Sequence, residues 1–323
     1  MLTVYTADEG RLRVVTDAGA FPAESVWFDL LHPTRDEERL VEMHLGLEVP
    51  TREDMLEIEA SSRVYREGEA LFMTAILLAN TDTATPEATP VSFIHSGNAL
   101  ITVRYSEPRS IQAFVIRAQR VPDRYESGEA VLIGLLEAVV DRTADILERV
   151  GLEIEVLSRE LFEHQGQKSG RSREFREILR TIGQKGDLNG KARESLVSLG
   201  RILTFLSQSL LTKQEPRELR NRIKTVSRDI NSLTDHASYL SNKFNFLLDA
   251  TLGMINIEQN AIIKIFSVAA VVFLPPTLIA SIYGMNFRLM PELNWPPGYP
   301  FALGLMIVSA ILPYWYFKRR GWL

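Results

Sequence analysis

The sequence predicts an α+β membrane protein with an N-terminal cytoplasmic α/β domain, a long helical stalk and two C-terminal transmembrane helices. Three observations lead there. Residues 1–127 carry short alternating runs of β-branched and aromatic residues separated by turn pairs. Residues 128–283 carry apolar residues at helical spacing with few stops. Finally, Ile265 to Tyr283 and Gly298 to Phe317 contain no charged side chain. Each is close to the ~20 apolar residues a helix needs to cross about 30 Å of hydrocarbon.

In chain order, Leu2–Asp8 and the run from Arg11 read as a hairpin turning at Glu9-Gly10. Ser25–Pro33 is a strand running into a turn. Thr34, with Glu37 three residues on, has the spacing of a capping box, and the helix it opens should end at Gly46. Thr51 opens a second, short helix. Ser61–Asn80 reads as two strands around Glu67-Gly68, and residues 81–90 as a polar, proline-containing loop. Val91–Glu107 is a hairpin turning at Ser96-Gly97-Asn98, and Pro108 opens a further helix.

Residues 128–215 should form an antiparallel helical pair, broken near 165–170, with Gly183, Gly186 and Gly190 as points where the second helix weakens. Pro216 then opens the stalk, residues 216–283. Leu219, Ile223, Val226, Ile230, Leu233, Ala237, Leu240, Phe244 and Leu247 follow a four–three repeat. Such a repeat implies self-association around an axis or packing on the chain's own domain. Without a stop before Tyr283, the rod would be roughly 100 Å long at 1.5 Å per residue.

Stepping in fours and threes from Asp249, after the repeat has gone on to Thr251 and Met254, traces a second row into the first span through Gly253, Asn256, Asn260, Ile263, Ser267, Ala270, Leu274, Thr277 and Ser281. Most of these are small or polar. Ile265, Val268, Val271, Val272, Leu278 and Ile279 lie off the seam. A tight helix–helix interface favours small residues too. A water-lined pore wall accounts better for Asp249, Asn256 and Asn260, which carry the seam into the polar zone. Pro275 and Pro276 remove two backbone donors inside the span, so the freed carbonyls need another helix or water.

Tyr283-Gly284-Met285-Asn286-Phe287, then Met290-Pro291-Glu292-Leu293, then a second span ending in Lys318-Arg319-Arg320-Gly321-Trp322-Leu323, resembles the CorA magnesium transporters. The close resemblance covers Leu247 to Leu323; upstream the likeness is one of architecture. It implies a homopentameric funnel, with residues 284–297 as a periplasmic loop, 298–317 as the second span and 318–323 as a basic cytoplasmic tail. It also implies that Gly284, Met285 and Asn286 form the outer ion-binding ring and that Thr277, Asn260 and Asp249 line the pore. One departure stands out. Arg288 follows Phe287 where many relatives carry an acid, which leaves Glu292 as the loop's sole carboxylate. The resemblance further implies regulation by cytoplasmic Mg²⁺ shared between subunits, for which Asp229, Asp235, Asp82 and Glu87 are the candidates. An ungapped count from Gly284 puts the relatives' sensing acid at Thr225, one turn before Asp229.

The chemistry of the seam fits that cargo. Mg²⁺ dehydrates reluctantly, so a pore for the hydrated ion should present neutral oxygens that hold it weakly. Asn286, Ser281, Thr277, Asn260 and Asn256 offer them, and Asp249 is the one carboxylate in register. Ile263 and Leu274, with Phe266 beside them, are the candidates for a dry constriction. Intact Gly-Met-Asn favours Mg²⁺; Co²⁺, Ni²⁺ or Zn²⁺ on the same fold is the nearest rival. A rival from another class is a membrane-anchored interaction protein whose hairpin merely tethers a cytoplasmic coiled coil.

Composition narrows the rest. With no cysteine, disulfides, thiolate metal sites and cysteine nucleophiles are excluded, and His32, His44, His95, His164 and His236 show no ligand spacing. Nucleotide-binding glycine motifs and hydrolase motifs are absent from the sequence, so an enzyme is not expected. A net charge of −5 argues against nucleic acid as a partner. Nothing at the start reads as a signal peptide. Lys243 and Lys264 before the first span and Lys318, Arg319 and Arg320 after the second place both termini in the cytoplasm of an inner-membrane protein.

Overall fold

A computed structural model describes residues 1–15, 21–83, 85–122, 125–163, 171–210, 217–286, 290–291 and 295–322. The chain divides into two units. The second runs from Leu248 to the C-terminus and takes in the start of the sixth helix up to Arg176; the first holds the remainder.

The first unit is built on a seven-stranded sheet of order β2-β1-β3-β7-β6-β5-β4. Its strands are β1 Leu2–Asp8, β2 Arg11–Val14, β3 Ser25–Leu31, β4 Val64–Glu67, β5 Ala70–Ala79, β6 Glu87–Ser96 and β7 Ala99–Arg104. β3 and β7 pair in parallel; the other neighbours are antiparallel, and all of these except β1 with β3 are hairpin partners. Around the sheet lie α1 Arg35–Leu45, α2 Arg52–Leu56, α3 Ala60–Arg63, α4 Arg109–Arg120 and α5 Gly128–Glu163. The capping box at Thr34 and Glu37 is formed, and Gly46 closes α1 in the left-handed region at φ +67°. A second box joins Thr51 and Asp54 at the start of α2.

Alternation sends successive strand residues to opposite faces. Phe28, Leu30, Ile94, Ile101 and Val103 join Val41 of α1 and Met55 of α2 in one core. On the other face Trp27 stacks on Tyr5 at 4.4 Å and meets Phe114 of α4 edge-on. That face also carries a buried polar chain. The Trp27 indole N–H donates to Thr102 Oγ1 (3.0 Å), and Thr102 donates to Asp29 (2.7 Å). Asp29 accepts two further bonds from the Arg104 guanidinium, at 3.0 and 2.7 Å. Burial pushes the Tyr5 hydroxyl up to about 12, with the Asp29 carboxylate adding to the rise and Arg104 opposing it.

Two local expectations differ from the fold. Ser61–Arg63 belong to the short helix α3 instead of a strand, closed by Ser62 N–H to Glu59 O at 3.2 Å. The expected loop over 81–90 ends early, because Glu87 to Pro90 already pair with β5. Proline is tolerated there for a geometric reason. Ile76, opposite Pro90, donates its N–H away from β6 to Ser198 Oγ at 2.9 Å, so Pro90 owes β5 no hydrogen bond.

The helical part consists of α5, α6 (Arg171–Leu210), α7 (Arg217–Tyr283) and α8 (Gly298–Arg319). Gly183, Gly186 and Gly190 do not interrupt α6. Ile182, Leu188, Ala192 and Leu196 anchor it through that region by burial. The four–three repeat of α7 is covered within its own chain: Ile223, Val226, Ile230, Ala237, Leu240, Phe244 and Leu247 are buried. Glycines let the partners approach. A Cβ at Gly186 would meet Phe244 at 3.9 Å, one at Gly200 would meet Ile230 at 3.6 Å, and one at Gly151 would meet Leu240 at 3.8 Å. Of the two readings of the repeat, packing on the chain's own domain accounts for this stretch.

Candidate ion pathway in the membrane hairpin

The second unit holds the C-terminal part of α7 and all of α8, the two helices long and apolar enough to cross a membrane. They pack side by side in opposite directions. Lys264 lies over the ring of Trp322 at one end (6.0 Å to the centroid). At the other, Ala280, Tyr283 and Gly284 line a cavity of about 630 Å³ together with Tyr299, Ala302 and Met306.

Helix α7 stays continuous through Pro275 and Pro276, and both prolines are half-buried. They share the covered face with Val268, only 4% exposed, and with half-buried Val272 and Ile279. The carbonyls freed by the prolines are those of Val271 and Val272, four residues back; Val272 is half-buried on the covered side and Val271 is exposed. The predicted seam lies on the opposite side. Asp249, Gly253, Asn256, Asn260, Ile263, Ser267, Ala270, Leu274, Thr277 and Ser281 are all exposed. Among the described residues, none covers Leu274 (65% exposed) or the neighbouring Phe266 (72%) as a core residue would be covered.

Two hydroxyls on the seam have a defined polarity. Thr277 Oγ1 donates to Phe273 O at 2.7 Å, and Ser281 Oγ donates to Thr277 O at 2.8 Å. With their hydrogens tied to the helix, both oxygens present only lone pairs outward. The water shell of a cation points its hydrogens outward, so an acceptor-only wall matches it. The helix ends at Gly284, whose N–H donates to Ala280 O at 2.9 Å, and Met285 N–H donates to Ile282 O at 3.3 Å. Asn286 follows directly, exposed at the end of the seam. Gly284, Met285 and Asn286 thus sit together where α7 ends. Arg288 and Glu292 lie outside the described residues.

The four candidate regulatory acids do not converge. Asp82 is held by Arg149 at 2.6 Å, by Arg142 at 3.3 Å and by Arg109. The Arg149 hydrogen bond keeps its carboxyl below the usual range, with Arg109 and Arg142 adding to the effect against a desolvation penalty. Glu87 starts β6, and Asp235 stands exposed on α7. Asp229 is different, because it faces α5. Burial raises the carboxyl of Asp141 there, Arg117 opposes the rise, and Glu137, Asp145 and Asp229 add to it. Glu137, Asp141 and Asp145 recur every fourth residue, a signal that reading α7 alone misses. Arg222 holds Glu137 with two bonds of 2.9 and 2.7 Å. Among the described residues, no three acids or histidines gather closely enough in one chain to hold a metal ion.

An α/β sheet domain, a long helix and a two-span hairpin with an uncovered polar seam define a membrane protein of the ion-transporter class. The chain belongs to the CorA-like Mg²⁺ transporter family, whose pattern it matches over residues 22–319. It is 37% identical over 324 residues to the magnesium transport protein CorA of Yersinia pseudotuberculosis and 35% identical over 325 residues to that of Pasteurella multocida. Both alignments cover all of this chain and all of the relative. The complete CorA magnesium transporter of Methanocaldococcus jannaschii shares the fold, with a TM-score of 0.77 at 20% identity, covering 100% of this chain and 99% of that one.

Proposed function

We propose that this chain carries Mg²⁺ into the cytoplasm through a pore lined by the α7 seam of several copies, five by family resemblance. The observation that carries the reading is the seam itself. Its ten positions are exposed among the described residues, are mostly small or neutral and polar, and lead to Gly284-Met285-Asn286. The hydrated ion would be held at the mouth by Asn286, pass the acceptor oxygens of Ser281 and Thr277, and leave past Asn260, Asn256 and Asp249. Leu274 and Ile263 are apolar rungs between the polar ones, where closure would exclude water. No fuel is required. A divalent ion gains about 4.6 kcal/mol from 100 mV of membrane potential. Both termini would face the cytoplasm of the inner membrane.

Regulation would follow from charge. Asp141 feels the like charges of Glu137, Asp145 and Asp229, so a cytoplasmic cation that neutralises them would favour the compact, closed assembly, and its loss would loosen the ring. Co²⁺ and Ni²⁺ are expected as weaker cargo, since hydrated divalent ions of similar size meet the same neutral oxygens.

Liposomes containing the purified chain and a Mg²⁺-sensitive dye test the reading. Flux should rise with an inside-negative potential. Asn286→Ala should cut it to about a hundredth or less, the loss expected when a dedicated hydrogen-bonding group is removed from every copy, while the oligomer elutes unchanged. Near-parental flux in the variant would mean that the ion does not pass this motif.

A further inference from the structure

The C-terminal end of α8 carries a ring of cations that the ion pathway does not use. Lys318 lies over Tyr314 (5.9 Å to the centroid), Arg319 over Trp315 (4.3 Å) and Arg320 over Tyr316 (5.5 Å). Each cation stacks on the ring four residues before it. Successive residues are about 100° apart on a helix, so the three couples stand on three sides of α8 as a collar. Gly321, at φ +70°, then turns the chain back. Trp322 N–H bonds Phe317 O at 3.1 Å, and its ring meets Lys264 of α7, which adds a fourth cation.

The collar is set at the edge of the span. The rings belong to the last turn of the uncharged stretch, and the charged heads follow one turn later. Among the described residues, no carboxylate lies within ion-pair distance of Lys264, Lys318, Arg319 or Arg320. The negative end of the helix dipole favours cations here, but it does not place a ring under each of them. The covered row of α8 is Ala302, Met306, Ser309, Pro313 and Phe317. Arg319 and Trp315, the closest couple, fall on the opposite side, away from α7.

We infer that this collar binds the phosphate groups of anionic phospholipids in the adjoining leaflet, with the guanidinium of Arg319 as its centre. Aromatic rings at the interface seat beside the glycerol region and acyl chains, and guanidinium stacked on a ring keeps its N–H edge free for phosphate oxygens. Charge complementarity selects the ligand: four cations stand at a membrane edge, in a chain whose net charge is −5. The assignment concerns the membrane anchor and holds whatever ion the pathway carries.

The test uses the full chain, with Trp295→Phe to silence the opposite interface, in bilayers containing either brominated phosphatidylglycerol or brominated phosphatidylcholine. Trp315 and Trp322 report which lipid is adjacent. Phosphatidylglycerol should be preferred by about threefold to fivefold. The preference should vanish in K318Q/R319Q/R320Q and survive in R319K at reduced strength. Equal quenching in the parent, or an unchanged preference in the triple variant, overturns the site. If the triple variant does not assemble, salt decides on the parent, because a preference that does not fall in concentrated KCl is not electrostatic. Inorganic phosphate at matched ionic strength separates the two sources of the same chemistry. It should not displace the lipid, and full displacement would make this a free-phosphate site and overturn the lipid assignment.

Discussion

Asp29 and Arg104 are 75 residues apart in sequence, both nearly inaccessible, and joined by two hydrogen bonds inside the sheet. Removing one partner strands the other as a buried charge, which costs far more than the pair contributes. Asp29→Ala should therefore lower stability by about 3–5 kcal/mol. Thermal or urea unfolding followed by Trp27, which is tied to Asp29 through Thr102, reads the loss; a change below about 1 kcal/mol would mean that Arg104 finds another acceptor. Gly128 is a second residue whose role the sequence conceals. A Cβ there would stand 2.5 Å from the backbone of Ala99 and Leu100, where α5 starts against β7. Both cases show why residue-scale legibility was uneven. Thr34 with Glu37 was readable because the cap closes within four residues. Asp29 with Arg104, and Asp82 with its three arginines, depend on strand and helix pairings that no local pattern states.

At the scale of elements, periodicity gave the helices and the apolar face of α7, but a repeat does not say what covers it. Along the sheet domain the cover is α5 and α6, through the approaches at Gly151, Gly186 and Gly200. Farther along, the row that steps from Asp249 is bare, and it lies on the other face of the helix from buried Thr251. Both rows keep the same spacing, so spacing could not say which of them is covered. The neighbourhood of α5 and α7 also sets the charge of one acid in the proposed regulation. Asp141 holds its proton more tightly in the folded chain than in the unfolded one, through burial and then the neighbouring Glu137, Asp145 and Asp229. A raised value contributes stability that is fully present below the unfolded carboxylate value of about 3.9 and is lost as pH rises through the folded value. At neutral pH the ionised group is thus a load on the fold. Asp141→Asn should raise apparent stability at pH 7 by roughly 0.5 kcal/mol after solvent screening. The gain should shrink toward zero as pH falls to the unfolded carboxylate value. Thermal melts across that range check the sign. Added Mg²⁺ should stabilise the parent more than the variant, and an equal response would remove Asp141 from the proposed regulation.

At the scale of the whole molecule, the proposed pathway is incomplete in one chain, because the seam is exposed. A helix that shows Asn256, Asn260, Ser267, Thr277 and Ser281 outward cannot leave that face to lipid at low cost, because hydrocarbon offers no partner for polar side chains. The seams of several copies facing one another around water resolve the problem, and α8 then stands outside with its free face toward lipid. The chain contains no cysteine, so single replacements report neighbours without background. Ser267→Cys and Ser281→Cys should join copies in pairs with a short thiol-reactive cross-linker in native membranes. Val308→Cys, exposed on the side of α8 away from its covered row, should not. The mass of the assembly in detergent should correspond to five copies of the 36.5 kDa chain. Efficient joining through Val308 with none through Ser267 would put α8 at the axis and turn the seam toward lipid. A monomer in detergent that still conducts in liposomes would leave the pathway inside a single hairpin, where the uncovered face provides no second wall.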